Sequence, residues 1–179
     1  ACMGNSLISE CCSENLDKTV RNVVKLLEHS RCTISTAESC TGGLLSQLIT
    51  SVAGASAVFE GGFCTYSNRI KTKLLGVPEE ELERYGAVSS QVALSMVKGL
   101  KAYTGADICV SVTGIAGPDG GTAEKPVGTV WFGFSAFGKE FTRLPELWTL
   151  ADKSRGNIRM AAAAFAFSVI EEILLEDVQ

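Results

Sequence analysis

The sequence predicts an α/β fold in which a mixed β-sheet lies between two layers of helices. Short β-branched and apolar runs alternate with amphipathic helical segments through most of the 179-residue chain. A hairpin and a long apolar helix are expected to follow them. Alternation of strands and helices favours parallel strands joined by crossover helices, and the hairpin adds antiparallel strands. We therefore expect a three-layer α/β/α fold with a mixed sheet.

The helices are predicted from capping residues and apolar periodicity. Residues 1–12 lack periodicity and are expected to form a flexible N-terminal tail, followed by a single domain over residues 13–179. The first helix is expected to begin at a capping Ser13, with Leu16, Val20, Val23, Val24 and Leu27 on its apolar face. The last, capped by Asp152, is apolar on almost every side, which is typical of a central helix or a subunit interface. The other helices are expected at 44–52, 68–75, 78–84 and 89–103.

The strands are predicted from short apolar or β-branched runs. The run at 107–113 is almost continuously apolar, as in a central strand buried on both faces. A loop at 114–126 follows it and is rich in glycine, which suits a backbone that turns sharply or approaches a ligand closely. The other strands are expected at 32–36, 58–66, 127–136 and 139–150.

Composition argues against several classes of function. The net charge is −4 and the sequence has no basic run, which disfavours nucleic-acid binding. Seven cysteines without paired spacing and a single histidine exclude the usual zinc sites. The cysteine spacing and the size of the chain also argue against a disulfide framework. The phosphate-binding patterns G-x-x-x-x-G-K-[ST] and G-x-G-x-x-G are absent. We expect a reduced, cytoplasmic protein with no metal and no membrane partner.

The turn predicted at residues 37–43, after the first predicted strand, holds the first candidates for chemistry. Ser39 and Thr41 are followed by Gly42 and Gly43, which open the next helix. Hydroxyl groups and unpaired backbone N–H groups at a helix N-terminus suit an anion or a developing oxyanion. Ser39 is either a nucleophile beside its own oxyanion donors or an ordinary helix cap. Taken alone, this segment favours the cap.

A nucleophilic serine needs a base, and the sequence offers few. His29, the single histidine, lies at the end of a surface-type helix. Lys71 falls in the first turn of a helix that Asn68 is expected to cap. The helix dipole disfavours a cation there by about 0.3–1 kcal/mol, so burial or a neighbouring arginine must lower its pKa further. By spacing alone a solvated surface lysine is favoured, and Cys40 is interpreted as a buried packing residue.

Several motifs, in a fixed order, resemble the CinA C-terminal domain family, the nicotinamide-nucleotide amidohydrolases. The resemblance covers roughly residues 15–175 of the chain. The matching segments are Thr36–Gly43, Gly62–Asn68 with Lys71, Leu74–Val77, Gly86–Ser89, Val112–Gly121 and Lys125–Val130.

The resemblance implies deamidation of nicotinamide mononucleotide to nicotinic acid mononucleotide, with release of ammonia. The family uses a serine–lysine arrangement and needs neither metal nor cofactor. Ser39 corresponds to the nucleophile and Lys71 to the base. Tyr66 corresponds to a tyrosine that hydrogen-bonds within this pair, and Thr113 to a threonine at the end of the central strand.

The resemblance also implies where the substrate binds. The family arginine after the hairpin corresponds to Arg155 or Arg159, and oxyanion donors are expected near residues 41–43. The loop at 114–121 either wraps the ribose phosphate through backbone N–H groups or forms a tight structural crossover. Substrate contacts are expected at Thr41, Gly42, Gly43, Asn68, Gly114, Gly117, Gly120, Gly121, Arg155 and Arg159.

Two alternatives stay open at this point. One is a non-catalytic module that binds a nucleotide or a partner protein in a competence or DNA-damage response. The other is a related amidase that acts on a different small amide. The set of Ser39, Tyr66 and Lys71 favours an enzyme, because a binding module has no need of it. The apolar last helix leads us to expect a homo-oligomer.

Overall fold

A five-stranded mixed sheet forms the centre of the molecule. The computed structural model describes the backbone of residues 4–177 and the side chains of residues 15–176. The first three strands are parallel to one another, and the last two pair antiparallel with their neighbours, so the predicted mixed sheet is confirmed. The strands, in chain order, are β1 (Ile34–Glu38), β2 (Phe59–Cys64), β3 (Ile108–Gly114), β4 (Val130–Ala136) and β5 (Lys139–Arg143). Their order in the sheet is β2-β1-β3-β4-β5.

Six α-helices cover the two faces of this sheet. They are α1 (Gly4–Ser30), α2 (Leu44–Thr50), α3 (Asn68–Leu75), α4 (Glu79–Tyr85), α5 (Ser90–Thr104) and α6 (Arg155–Asp177). Helices α1, α2 and α6 share one buried cluster with Val110 and Val112 of β3. Helices α3, α4 and α5 share a second cluster with Cys109, which points to the opposite face of the same strand. The predicted three-layer α/β/α arrangement is therefore confirmed.

The first and last helices begin at other residues than the sequence predicted. Helix α1 begins at Gly4, so residues 4–12 belong to it and Ser13 is not its cap, while residues 1–3 lie outside the described residues. Its predicted apolar face is buried as expected. Helix α6 begins at Arg155, where the Ser154 hydroxyl accepts the Asn157 N–H. Asp152 lies farther out and accepts the Ser154 N–H at 2.8 Å.

The predicted strand boundaries also need correction. β1 runs to Glu38, so two residues assigned to the following turn belong to the strand. β2 is shorter at both ends, and β4 begins at Val130. β5 ends at Arg143 because its pairing with β4 ends there, and Pro145 just beyond has no N–H to extend the ladder.

Helix α6 is apolar because it lies inside the fold. Ile158, Ala162, Phe167 and Ile170 are fully buried. They join the core between the sheet and α1, which confirms the central-helix alternative. No helix within residues 4–177 is both long enough and apolar enough to cross a membrane.

The topology defines one edge of the sheet as the place for a site. From β1 the chain passes through α2 to β2 on one side, and β3 lies on the other side of β1. All three strands are parallel, so their carboxyl ends meet at the same edge. Ligands of open α/β sheets bind at such a switch point, outside the carboxyl ends of the strands.

Gly133 of β4 sets how closely α5 approaches the sheet. A Cβ added there would lie 2.4 Å from the Ala93 carbonyl oxygen and 2.6 Å from Ser111 Oγ. We expect Gly133→Ala to lower the free energy of unfolding by about 1–3 kcal/mol through overpacking, measured by urea denaturation. Gly156→Ala, at an open position of α6, is the matched control and should lose no stability. An equally small effect at both positions would contradict this packing.

Candidate active site

Ser39 and Lys71 meet in a buried contact at the carboxyl edge of the parallel strands. Ser39 follows β1 directly, and Lys71 lies on α3, which follows β2. Lys71 Nζ lies 3.0 Å from Ser39 Oγ. Ser39 is 9% exposed and Lys71 only 1%. Lys71 is therefore not a solvated lysine, although its spacing in the sequence favoured that interpretation.

The surroundings of Lys71 suit a neutral amine. Its Nζ also lies 2.8 Å from the Thr65 carbonyl oxygen and 3.1 Å from that of Tyr66. A neutral amine that donates to both carbonyls keeps its lone pair for the hydroxyl proton of Ser39. No carboxylate lies within ion-pair distance of Lys71 among the residues whose side chains are described. Burial lowers the pKa of Lys71 from 10.5 to about 8, against a smaller opposing effect of Cys40.

The turn that carries Ser39 is shaped by two glycines and a buried carboxylate. Gly42 and Gly43 have φ of 61° and 93°, a left-handed conformation that side chains disfavour. Gly43 is the N-cap of α2 and has no capping side chain, so Ser39 is not the helix cap. Instead Glu38 Oε2 accepts the N–H of Gly43 and of Leu45, each at 3.0 Å. Glu38 lies in the segment predicted as a turn, and no pattern in the sequence indicated this contact.

Fewer of the backbone N–H groups at residues 41–43 are free to bind an oxyanion than the sequence predicted. The Gly43 N–H is bound to the carboxylate described above, and the Gly42 N–H donates to the Ser39 carbonyl at 3.1 Å. Neither glycine can therefore meet an oxyanion. Within the described part of the chain, the backbone N–H groups of Cys40 and Thr41 donate to no acceptor. Thr41 is the expected donor that stays available.

Two arginines from the start of α6 reach the site in different ways. Arg155 donates to the Gly117 carbonyl at 2.8 Å and to the Tyr66 hydroxyl at 2.9 Å. Arg159 donates twice to the Thr41 carbonyl, at 2.6 and 3.2 Å, and so holds the Ser39 turn. The phenol of Tyr66 is thus bound to Arg155. The hydrogen bond that was expected between Tyr66 and the serine–lysine pair is made instead by its backbone carbonyl, which accepts from Lys71 Nζ.

Asn68 and Thr113 lie close to these residues in the fold without contacting the pair directly. Ser67, not Asn68, caps α3, since its hydroxyl accepts the Ile70 N–H. Asn68 is the exposed first residue of that helix. The Thr113 hydroxyl, near the end of β3, donates to the Ala87 carbonyl at 2.8 Å. That bond ties β3 to the segment before α5.

The glycine-rich loop packs tightly against the start of β4. A Cβ at Gly114 would lie 2.7 Å from a methyl group of Val130. A Cβ at Gly117 or Gly121 would lie within 2.8 Å of Val127. Close packing therefore explains these glycines and supports the structural-crossover interpretation. Gly120, at φ 90°, and Gly121 are exposed, and a phosphate contact there stays a prediction.

The neighbouring thiol is unsuited to act as the nucleophile. Cys40 is 6% exposed, and burial raises the pKa of its thiol to about 12. A thiol in this state is almost never a thiolate near neutral pH. The Ser39 hydroxyl, which contacts an amine, is therefore the better nucleophile of this turn.

The fold and the buried serine–lysine contact define an α/β protein with a candidate hydrolytic site at the strand ends. The chain belongs to the CinA C-terminal domain family, which it matches over residues 16–174. The resemblance found in the sequence is confirmed. The solved structure of the competence/damage inducible protein CihA from Agrobacterium tumefaciens shares this fold, with a TM-score of 0.84 and 40% identity over 88% of this chain and 94% of that one.

Curated relatives include both short and long proteins. The nicotinamide-nucleotide amidohydrolase PncC of Enterobacter agglomerans is 54% identical over 133 residues, which are 74% of this chain and 79% of that protein. A CinA-like protein of Thermotoga maritima is 56% identical over 117 residues, 65% of this chain. The match spans 29% of the Thermotoga protein, so this chain is similar to a minor part of its length.

The buried amine predicts a specific pH dependence of stability. Between pH 8 and 10.5 the unfolded chain still holds the Lys71 proton that the native state has lost, so stability rises with pH. We expect the free energy of unfolding of the wild type, relative to Lys71→Met, to rise by about 3 kcal/mol from pH 7 to 10.5. Urea denaturation of both proteins across this range measures the difference. A difference independent of pH would contradict a lowered pKa.

Proposed function

We propose that the protein hydrolyses the carboxamide of nicotinamide mononucleotide to the carboxylate of nicotinic acid mononucleotide and releases ammonia. Ser39 is the nucleophile and Lys71 its base, and no metal takes part. The observation that carries this proposal is the buried Lys71 amine, 3.0 Å from Ser39 Oγ. The substrate is supported by the named activity of the 54% identical Enterobacter relative. A non-catalytic binding module would not need to bury an amine against a serine.

Acylation follows from the geometry of the pair. Neutral Lys71 takes the hydroxyl proton while Ser39 Oγ attacks the carboxamide carbon. The carbonyl oxygen becomes an oxyanion, which the N–H of Thr41 meets. That N–H is held in place before the reaction, because Arg159 binds the Thr41 carbonyl in the same turn.

Lys71 then serves as the acid and again as the base. Its ammonium gives the proton to the departing nitrogen, so that ammonia leaves and an ester remains on Ser39. Neutral Lys71 next takes a proton from water as the water oxygen attacks the ester carbonyl. The second tetrahedral intermediate releases Ser39 with its proton restored, and the carboxylate product leaves. The net reaction adds one water and releases one ammonia and one proton, which the ammonia takes up in solution as ammonium.

The exposed rim beside the pair is where the rest of the nucleotide is proposed to bind. Arg155 is exposed and sits between the Gly117 carbonyl and the Tyr66 hydroxyl. Its guanidinium charge suits the substrate phosphate. Asn68, at the start of α3 after β2, and Gly120, in the loop after β3, are exposed residues that follow the carboxyl ends of parallel strands. Arg159, which is bound to the Ser39 turn, is assigned to positioning rather than to phosphate recognition.

The remaining parts of the proposal concern the protein's setting. We propose one domain that contains residues 13–179 together with the part of α1 before them, acting as a homo-oligomer in the cytoplasm on a small-molecule substrate, without nucleic acid. The acidic net charge of −4 supports the last point. The four cysteines with described side chains are all unbonded thiols, which supports a reducing compartment.

Ammonia release tests the proposal directly. With EDTA present, the wild type should release ammonia from nicotinamide mononucleotide faster than from nicotinamide or its riboside, which lack the phosphate. Ser39→Ala and Lys71→Arg should each lower kcat by more than about 10³-fold, since arginine cannot give up its proton near neutral pH. Lys73→Arg, an exposed lysine of the same helix, is the matched control and should be unchanged.

Three results would overturn this account. No ammonia from the nucleotide would refute the substrate. Substantial turnover by Lys71→Arg would show that Lys71 acts only through its charge. Inactivation by the chelator with recovery on adding zinc would refute the metal-independent mechanism.

A further inference from the structure

Glu38 is a buried charge next to the nucleophile that the mechanism above does not use. Its side chain is 0% exposed. No lysine, arginine or histidine lies within ion-pair distance of it among the residues with described side chains. Its carboxylate is instead satisfied by N–H and O–H donors. Besides Gly43 and Leu45, Ser46 donates to Oε1 through its backbone N–H at 2.9 Å and its hydroxyl at 2.8 Å.

The shape of the turn explains why this carboxylate is needed. The left-handed conformation of Gly43 favours glycine, and glycine cannot cap the helix that follows with a side chain. Three backbone N–H groups at the start of α2 would then have no acceptor from their own segment. Glu38 reaches across from the preceding strand and accepts all three. The Glu38 carboxylate therefore caps α2 in place of an N-cap side chain.

Glu38 also connects the two halves of the catalytic pair. Its backbone carbonyl accepts the Thr65 N–H at 2.8 Å. The carbonyl of Thr65 in turn accepts from Lys71 Nζ. The main chain of Glu38 thus holds the segment that binds the amine, while its side chain holds the far end of the Ser39 turn. Ser39 lies between two fixed points.

We propose that Glu38 is a positioning residue for Ser39. Its carboxylate binds the N–H groups of α2 and thereby fixes the turn in which Ser39 faces Lys71 and the Thr41 N–H faces the substrate carbonyl. This inference rests on the proposed function for its kinetic readout. It adds a residue that acts through the turn and touches neither substrate nor reacting atoms.

Glu38→Gln tests the proposal with little change in shape. One carboxylate oxygen becomes an NH₂ group, so at least one backbone N–H of α2 faces a donor in place of an acceptor. Thr36→Val is the matched control. Its hydroxyl lies 2.8 Å from the Ser46 hydroxyl and 3.4 Å from Glu38 Oε1, so its loss perturbs the same buried cluster and spares every backbone N–H bond.

The expected result separates positioning from stability. At a temperature where circular dichroism shows each variant folded, Glu38→Gln should lower kcat by about 10- to 100-fold, with KM within about twofold of the wild type. The acidic limb of its pH–rate profile should stay near pH 8, because the Glu38 side chain does not contact Lys71. Thr36→Val should keep kcat within about twofold, whatever stability it loses.

A second readout does not depend on the proposed substrate. A fluorophosphonate forms a bond from Ser39 Oγ to phosphorus, with loss of fluoride and transfer of the serine proton to Lys71. Mass spectrometry measures the labelling rate, which should fall in Glu38→Gln in parallel with kcat. If wild-type Ser39 is labelled and the nucleotide is not hydrolysed, the proposed function fails and the labelling rate alone decides the role of Glu38.

Several outcomes would overturn the positioning role. One is a folded Glu38→Gln with wild-type kcat and labelling rate. Another is an equal loss of kcat in Thr36→Val. If Glu38→Gln does not fold, Glu38→Asp takes its place. It keeps the charge but withdraws the carboxylate oxygens from α2, and a wild-type kcat and labelling rate in this variant would likewise overturn the proposal. Failure of both variants to fold would assign Glu38 to stability alone.

Discussion

A buried amine that hydrogen-bonds to two carbonyls and a serine hydroxyl is the interaction on which this site depends. Lys71 is 1% exposed, and burial lowers its pKa to about 8. A lysine with the usual pKa near 10.4 would hold its proton at neutral pH and could not serve as a base. The surrounding elements exclude solvent from this amine and fix its orientation. Ser67 caps α3 so that its fourth residue faces inward, and the end of β2 supplies the two carbonyls.

The same constraint explains the unusual turn on the other side of the contact. Ser39 has to leave the end of β1 and still face the amine, which requires two consecutive residues in the left-handed conformation. Glycines satisfy that conformation and leave α2 without a capping side chain. Two side chains then hold the turn through its backbone. Glu38, at the end of β1, accepts the Gly43 N–H, and Arg159 of α6 donates to the Thr41 carbonyl. The same contacts therefore orient Ser39 and satisfy the backbone N–H groups at the start of α2.

The fold could be predicted from the sequence because the spacing of apolar residues indicates which side of each element is buried. The apolar faces of α1 and α5 and the continuous run of β3 are visible as spacing, and they define the layers. The ends of α1 and β5 were not visible, since pairing and tertiary contacts decide where a helix or strand ends. From their own segments Ser39 and Lys71 were better explained as a cap and a surface lysine. They are 32 residues apart, and only the family resemblance brought them together before the structure did.

Glu38 was missed for a different physical reason. Its partners are mainly backbone N–H groups, which no residue pattern records. The signal that was available is an acidic residue shortly before a helix whose N-cap is glycine. Tyr66 shows the same limit, because its contribution to the pair comes through the backbone carbonyl and its phenol serves Arg155.

The titration of Lys71 in the folded, ligand-free protein tests the central claim most directly. NMR of protein carrying ¹³C at the lysine ε position reports each amine separately, and Lys71→Met assigns the signal. The account predicts that this one signal titrates at about pH 8. The exposed lysines should titrate near pH 10.4. A Lys71 signal that titrates with the surface lysines would contradict the claim that burial lets this amine act as a base, with a usable neutral fraction, near physiological pH.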